Sequence, residues 1–116
     1  TMPHLINSVI NVNGKVVQKS KTKYSDQLFS DTTATATKQI LLTNGANHYS
    51  SLISGYTIGV KSGTAQVDDN DTENSLLVGF DVNFPIAFCI MIENKAASPV
   101  TTDQIAKTML DALNRQ

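Results

Sequence analysis

Along residues 56–67, YTIGVKSGTAQV, apolar and polar positions alternate with the period of a β-strand. Tyr56, Ile58 and Val60 fall on one face, Thr57, Gly59 and Lys61 on the other. Two further runs, SLLVGFDV (75–82) and IAFCIMIEN (86–94), are joined only by the tight link Asn83-Phe84-Pro85 and read as adjacent antiparallel strands. Beyond them Ile105, Ala106, Met109, Leu110 and Leu113 recur at helical spacing behind a Thr101…Gln104 capping-box pair. The spacing predicts a three-stranded antiparallel meander with a C-terminal helix lying across it.

The first half of the chain is patterned more loosely. Residues 4–19 alternate around Asn13-Gly14, a dipeptide suited to the two positive-φ positions of a type I′ turn, so a hairpin is expected. Ser30 or Asp31 then offers an N-cap for a helix to about Thr43, closed by Asn44-Gly45. Ala34, Ile40 and Leu41 can share a buried stripe of that helix, although four threonines (Thr32, Thr33, Thr35 and Thr37) make it a poor intrinsic helix former. The fold class is therefore α+β: an antiparallel β-meander covered by a C-terminal helix. The hairpin and first helix occupy 1–50; the sheet and terminal helix occupy 51–116.

With 116 residues there is room for one core, burying roughly two-thirds of the unfolded surface. A net charge of −1 gives no long-range attraction to nucleic acid or an anionic membrane. The densest basic cluster, Lys15, Lys19, Lys21 and Lys23, reads as the solvated side of the hairpin. Cys89 sits inside an apolar run and is expected to be a buried, inert thiol. The acidic stretch DDNDTEN (68–74) starts like a calcium loop but lacks the glycine at position six and the acid at position twelve, so a solvated connection is expected. His4 and His48 have no acidic or cysteine partners at ligand spacing. Neither a metal nor a cofactor is expected.

Lys61-Ser62-Gly63-Thr64 is the one cluster with chemistry. On its own it admits two readings: a solubilising strand face with the glycine at a bulge, or one wall of an acyl-transfer site. Its surroundings carry a resemblance. Lys61-Ser62-Gly63-Thr64-Ala65-Gln66 is similar to the third active-site motif of the penicillin-binding transpeptidases, and Leu76-Leu77-Val78-Gly79-Phe80 resembles that family's next strand. Ile86 through Asn94, the terminal helix, the opening hairpin and the helix after Ser30 follow in the family's order. The likeness spans nearly the whole chain and is greatest to the C-terminal part of a class B, monofunctional-type enzyme. Two local departures are Val60 before the lysine and the leucine pair where the family opens its strand with aromatics.

What the resemblance implies is specific. The parent protein would be a serine D,D-transpeptidase that cross-links peptidoglycan at the extracytoplasmic face of the bacterial membrane and binds β-lactams. Lys61 and Thr64 would be catalytic, and Ser62, Gly63, Thr64, Ala65 and Gln66 would contact substrate. The family's other two motifs do not have counterparts. The only Ser-X-X-Lys is Ser20-Lys21-Thr22-Lys23, in a polar connection, and no Ser-X-Asn occurs. The nucleophile is thus expected outside these residues and the chain by itself is expected to be inactive. Its expected partners are the stem peptide, β-lactams and the remainder of the transpeptidase domain, with self-association through exposed apolar surface. The alternatives are a β-lactamase or β-lactam sensor of the same fold, and a non-enzymatic binding or assembly module.

Overall fold

The computed structural model describes residues 6–68 and 72–114. The elements run β1 (Ser8–Ile10), β2 (Val16–Lys19), α1 (Asp31–His48), β3 (Ile58–Gln66), β4 (Glu73–Asp81), β5 (Ala87–Ile92), a 3-10 turn at Lys95–Ala97, and α2 (Thr102–Leu113). They divide into two compact units, Thr1–Asp31 and Thr32–Gln116. The division falls at the first residue of α1, so all of that helix but Asp31 is grouped with the sheet.

The first unit holds the β1–β2 hairpin, antiparallel with Ile10 opposite Val16. Its turn differs from the expected type I′. Only Gly14 takes positive φ, at 77°, and Asn13 does not. Asn11 organises the loop instead: its carbonyl accepts the Gly14 N–H at 3.0 Å and its Oδ1 accepts the Asn13 and Lys15 N–H groups, each at 3.0 Å. A side chain that bonds backbone two and four residues ahead lets a longer loop replace the tight turn.

In the second unit β3, β4 and β5 form an antiparallel sheet in sequence order. β3 pairs with β4 without interruption from Ile58↔Asp81 to Gln66↔Glu73, and β4 with β5 from Ser75↔Ile92 to Phe80↔Ala87. These registers put Ile58, Val60, Leu77, Phe88 and Ile90 on one face. That face is buried together with Ile53 and with Ala106 and Leu110 of α2. Each Ile, Val, Leu or Phe side chain among them contributes roughly 1.5–3 kcal/mol by leaving water. α2 meets the sheet through the predicted stripe, and Gln104 Oε1 accepts the Thr101 N–H at 3.0 Å at its start.

Four expectations need correction. α1 does not stop at Asn44-Gly45 but runs through them to His48. Ala34 and Ile40 are exposed, so the helix has no buried stripe through them; it packs through its last turns, where Gly45 is buried and Tyr49, just beyond, borders the core. Cys89 is exposed, because β5 has one covered face and Cys89 lies on the other with Ala87 and Met91. An unbroken apolar run implied two covered faces, and only one is. Finally, the acidic stretch is shorter as a connection than expected, since Glu73 and Asn74 already belong to β4 and Glu73 pairs with Lys95 at 2.6 Å. Residues 69–71 of that stretch, His4, and the start of the hairpin lie outside the described residues.

Candidate active site

β3 outruns its core. Ile58, Gly59 and Val60 are buried, and every residue from Lys61 to Gln66 is exposed. The Lys-Ser-Gly-Thr stretch therefore projects past the covered part of the sheet, held by β4 along one edge only.

Which backbone groups face the free edge follows from the ladder. Val82 N–H donates to the Thr57 carbonyl at 2.9 Å, and Val67 N–H to the Thr72 carbonyl at 2.9 Å. These bonds flank the continuous register on either side. In an antiparallel pair bonded and non-bonded residues alternate, so 59, 61, 63 and 65 turn their N–H and C=O to β4. Residues 58, 60, 62, 64 and 66 turn theirs away. Asn44 agrees with this assignment, because its Nδ2 donates to the Val60 carbonyl at 2.8 Å from outside the sheet.

The last turns of α1 close the first part of that edge. Asn44 bonds Val60, and Gly45 lies so near the Ile58 carbonyl that a Cβ there would come within 1.9 Å of the oxygen. A cleft of about 440 Å³ lies between α1 and the start of β3, lined among others by Gln39, Leu42, Gly45 and Thr57. From Ser62 onward the edge is different. The Ser62 carbonyl accepts from the amine of Lys61, which has folded round to the free margin, and the Thr64 N–H points outward.

The side chains divide between faces. Ser62, Thr64 and Gln66 share the face of the core, beyond its limit; Lys61, Gly63 and Ala65 lie on the opposite face. Among the expected site residues, the free edge thus collects the Lys61 amine and the backbones of Ser62, Thr64 and Gln66. Gly63 and Ala65 turn their backbones inward to the ladder. Gln66 Nε2 also reaches the Asp68 carbonyl at 3.4 Å.

Gly63 has no internal reason to be glycine. Its φ is not positive, the register passes through it without a bulge, and an added Cβ would meet only Leu76 Cβ, at an ordinary 3.8 Å. The bulge reading of this residue is therefore removed. The sequence reading missed the part played by Asn44 and Gly45, which fix where the edge opens. Their dipeptide is a common helix terminator, and that signal hid a helix–strand contact.

Among the described residues no group of three or more His, Cys, Asp or Glu side chains could hold a metal, and no helix is long and apolar enough to cross a membrane. The arrangement is an antiparallel sheet whose β3 edge presents the Lys61 amine beside the outward Thr64 N–H. The chain belongs to the penicillin-binding protein transpeptidase domain family, whose sequence model matches residues 1–111. No curated protein matches it.

Proposed function

We propose that this chain supplies one wall of the active site of a serine D,D-transpeptidase of the class B, monofunctional type, at the extracytoplasmic face of a bacterial membrane. The observation that supports it most is the outward Thr64 N–H on an exposed strand edge, beside an amine brought to the same margin. A serine attacking a D-Ala-D-Ala carbonyl develops negative charge on the carbonyl oxygen. Thr64 N–H would be one of two donors to that oxyanion, the other being the amide of the serine itself. Removing one such donor costs about 3–4 kcal/mol of barrier.

Lys61 would place its charge near the substrate's terminal carboxylate, and the Ser62 and Thr64 hydroxyls would hydrogen-bond that group. The outward N–H groups of Ser62 and Thr64 would pair with the stem peptide as an added strand, with Ala65 and Gln66 continuing the contact. Gly63 keeps the approach clear of a Cβ. The serine and its activating lysine would come from another part of the transpeptidase domain, so the 116 residues alone would form no acyl-enzyme.

Fluorescent penicillin tests this directly. The chain alone should remain unlabelled, while a full-length protein containing it should be labelled at a serine outside the segment and lose labelling on Lys61→Ala. Undiminished labelling of that variant would instead favour a non-enzymatic role for this surface. Turnover of a chromogenic cephalosporin, in place of stoichiometric trapping, would indicate a β-lactamase.

A further inference from the structure

The net charge of −1 hides an uneven distribution. Residues 6–25 contain Lys15, Lys19, Lys21 and Lys23 and no acidic residue. No carboxylate pairs with these lysines among the described residues. All of β1 and β2 is exposed, including the branched apolar side chains Val9, Ile10, Val16 and Val17. Among the described residues the hairpin is a sheet of two strands, an arrangement of marginal stability in water. Its ladder fixes which backbone groups stay outside. Ser20 N–H donates to the Asn7 carbonyl at 2.8 Å, so at the next pair Ser8 and Lys19 both turn their N–H and C=O outward. Lys19, Lys21 and Lys23 recur at every second position, the spacing that sends side chains to one side of an extended chain.

We propose that the β2 margin of the hairpin docks an extended acidic polypeptide segment as a third strand. Such a strand supplies partners for the outward Lys19 N–H and C=O. Its carboxylates face the lysine row, where opposite charges across a strand pair are favourable. The same observations disfavour two other occupants. A second copy of the hairpin brings four more lysines to the margin, and like charges opposite each other are destabilising. A lipid surface attracts the lysines, but wherever the valines enter hydrocarbon the outward backbone groups beside them lose water and gain no partner. The hairpin belongs to a different unit from Lys61 and Thr64, and the proposal does not depend on the transpeptidase reading.

The test is an NMR titration of the 116-residue chain with acetyl-(Glu-Val)3-amide. The Val17 and Lys19 amides should shift saturably, with a Kd in about the millimolar range, and hydrogen exchange at Lys19 should slow. The same peptide N-methylated at every residue keeps its carboxylates and loses its backbone donors. It should bind at least about tenfold more weakly. Lys19→Gln combined with Lys21→Gln should weaken the unmethylated peptide by about three- to tenfold. Equal affinity for the two peptides would reduce the contact to charge alone and overturn the added strand. An affinity unaltered in the lysine variant would remove the acidic partner. Saturable shifts confined to Ser62 and Thr64, or none at all, would also overturn the proposal. So would a response of the Val17 and Lys19 amides to phosphatidylglycerol vesicles but not to the peptide, which would make the surface a lipid contact. The peptide comparison uses the unaltered chain and decides the matter even should the variant not fold. Because no penicillin is involved, failure here is separate from failure of the transpeptidase reading.

Discussion

The Asn44 side chain donates to the Val60 carbonyl at 2.8 Å, and this bond marks where the covered edge of β3 gives way to the open one. It is part-buried and joins residues sixteen apart in the chain. Replacing Asn44 by alanine leaves the Val60 carbonyl without its donor in a place water reaches poorly. Stability should fall by about 1–3 kcal/mol, read as a lowered urea midpoint at unchanged slope. An unshifted midpoint would mean that the edge is not closed by this contact.

One residue further on, the close approach of Gly45 to the Ile58 carbonyl leaves no room for a side chain. In an exposed helix glycine to alanine is stabilising by up to about 1 kcal/mol. Here an added Cβ would stand 1.9 Å from a backbone oxygen, so the strand or the helix must move. Gly45→Ala should therefore destabilise, by at least about 1–3 kcal/mol. A raised melting temperature would show that α1 does not rest on β3 as described.

These two residues also show what could and could not be read from the sequence. The meander was legible because strands of period two and a helix of period 3.6 each bury one face, and Ile58, Val60, Leu77, Ala106 and Leu110 lie where those periods put them. Asn44-Gly45 misled because the same dipeptide ends helices by a left-handed residue and permits close contact inside them; only the position of a strand distant in sequence separates the two. Cys89 misled for a related reason. Composition gives the apolar content of a strand, not the number of layers packed on it. At the site, the residue types of Lys61–Thr64 were visible, but the direction of each amide was not. That direction depends on the parity of pairing with β4, set by bonds at Thr57 and Val67.

The parity itself makes a sharp prediction. Proline lacks an N–H, and within a sheet it is tolerated where that N–H would face away from the ladder. Thr64→Pro should leave the chain folded, with circular dichroism near that of the unaltered protein. Gly63→Pro removes a bond to β4 and should be clearly the less stable. In a full-length transpeptidase containing this segment, Thr64→Pro should also slow penicillin acylation by about 10²–10³. If Gly63→Pro proved the better tolerated, the assignment of the free edge would be reversed.

Gly63 separates stability from function. Among the described residues nothing opposes a methyl group there, and glycine in a strand is entropically unfavourable by roughly 0.5–1 kcal/mol relative to alanine. Gly63→Ala should hold or slightly raise the melting temperature of the chain while reducing acylation of the full-length protein. Loss of stability would point to an internal role for the glycine; full activity would remove the argument that substrate passes close to it.

The face of the sheet opposite α2 carries Val78, 43% exposed, and Met91, 53% exposed, with Ala87 and Cys89 also in solvent. Apolar surface of this kind favours association, and the outward edge of β3 at Ser62 and Thr64 adds a second route through strand pairing. The two routes differ in what they do to Cys89. Association through the face would cover the thiol, so its reaction with a maleimide should slow as protein concentration rises, in step with an earlier elution volume. Pairing through the β3 edge would shift elution and leave the thiol rate constant, because β5 lies at the opposite margin of the sheet. The exposed apolar side chains Val78 and Met91 lie on the face, so the coupled change is expected, and Val78→Lys should restore both the late elution and the fast reaction. A thiol inert at every concentration would contradict the exposure of Cys89 on which this expectation depends.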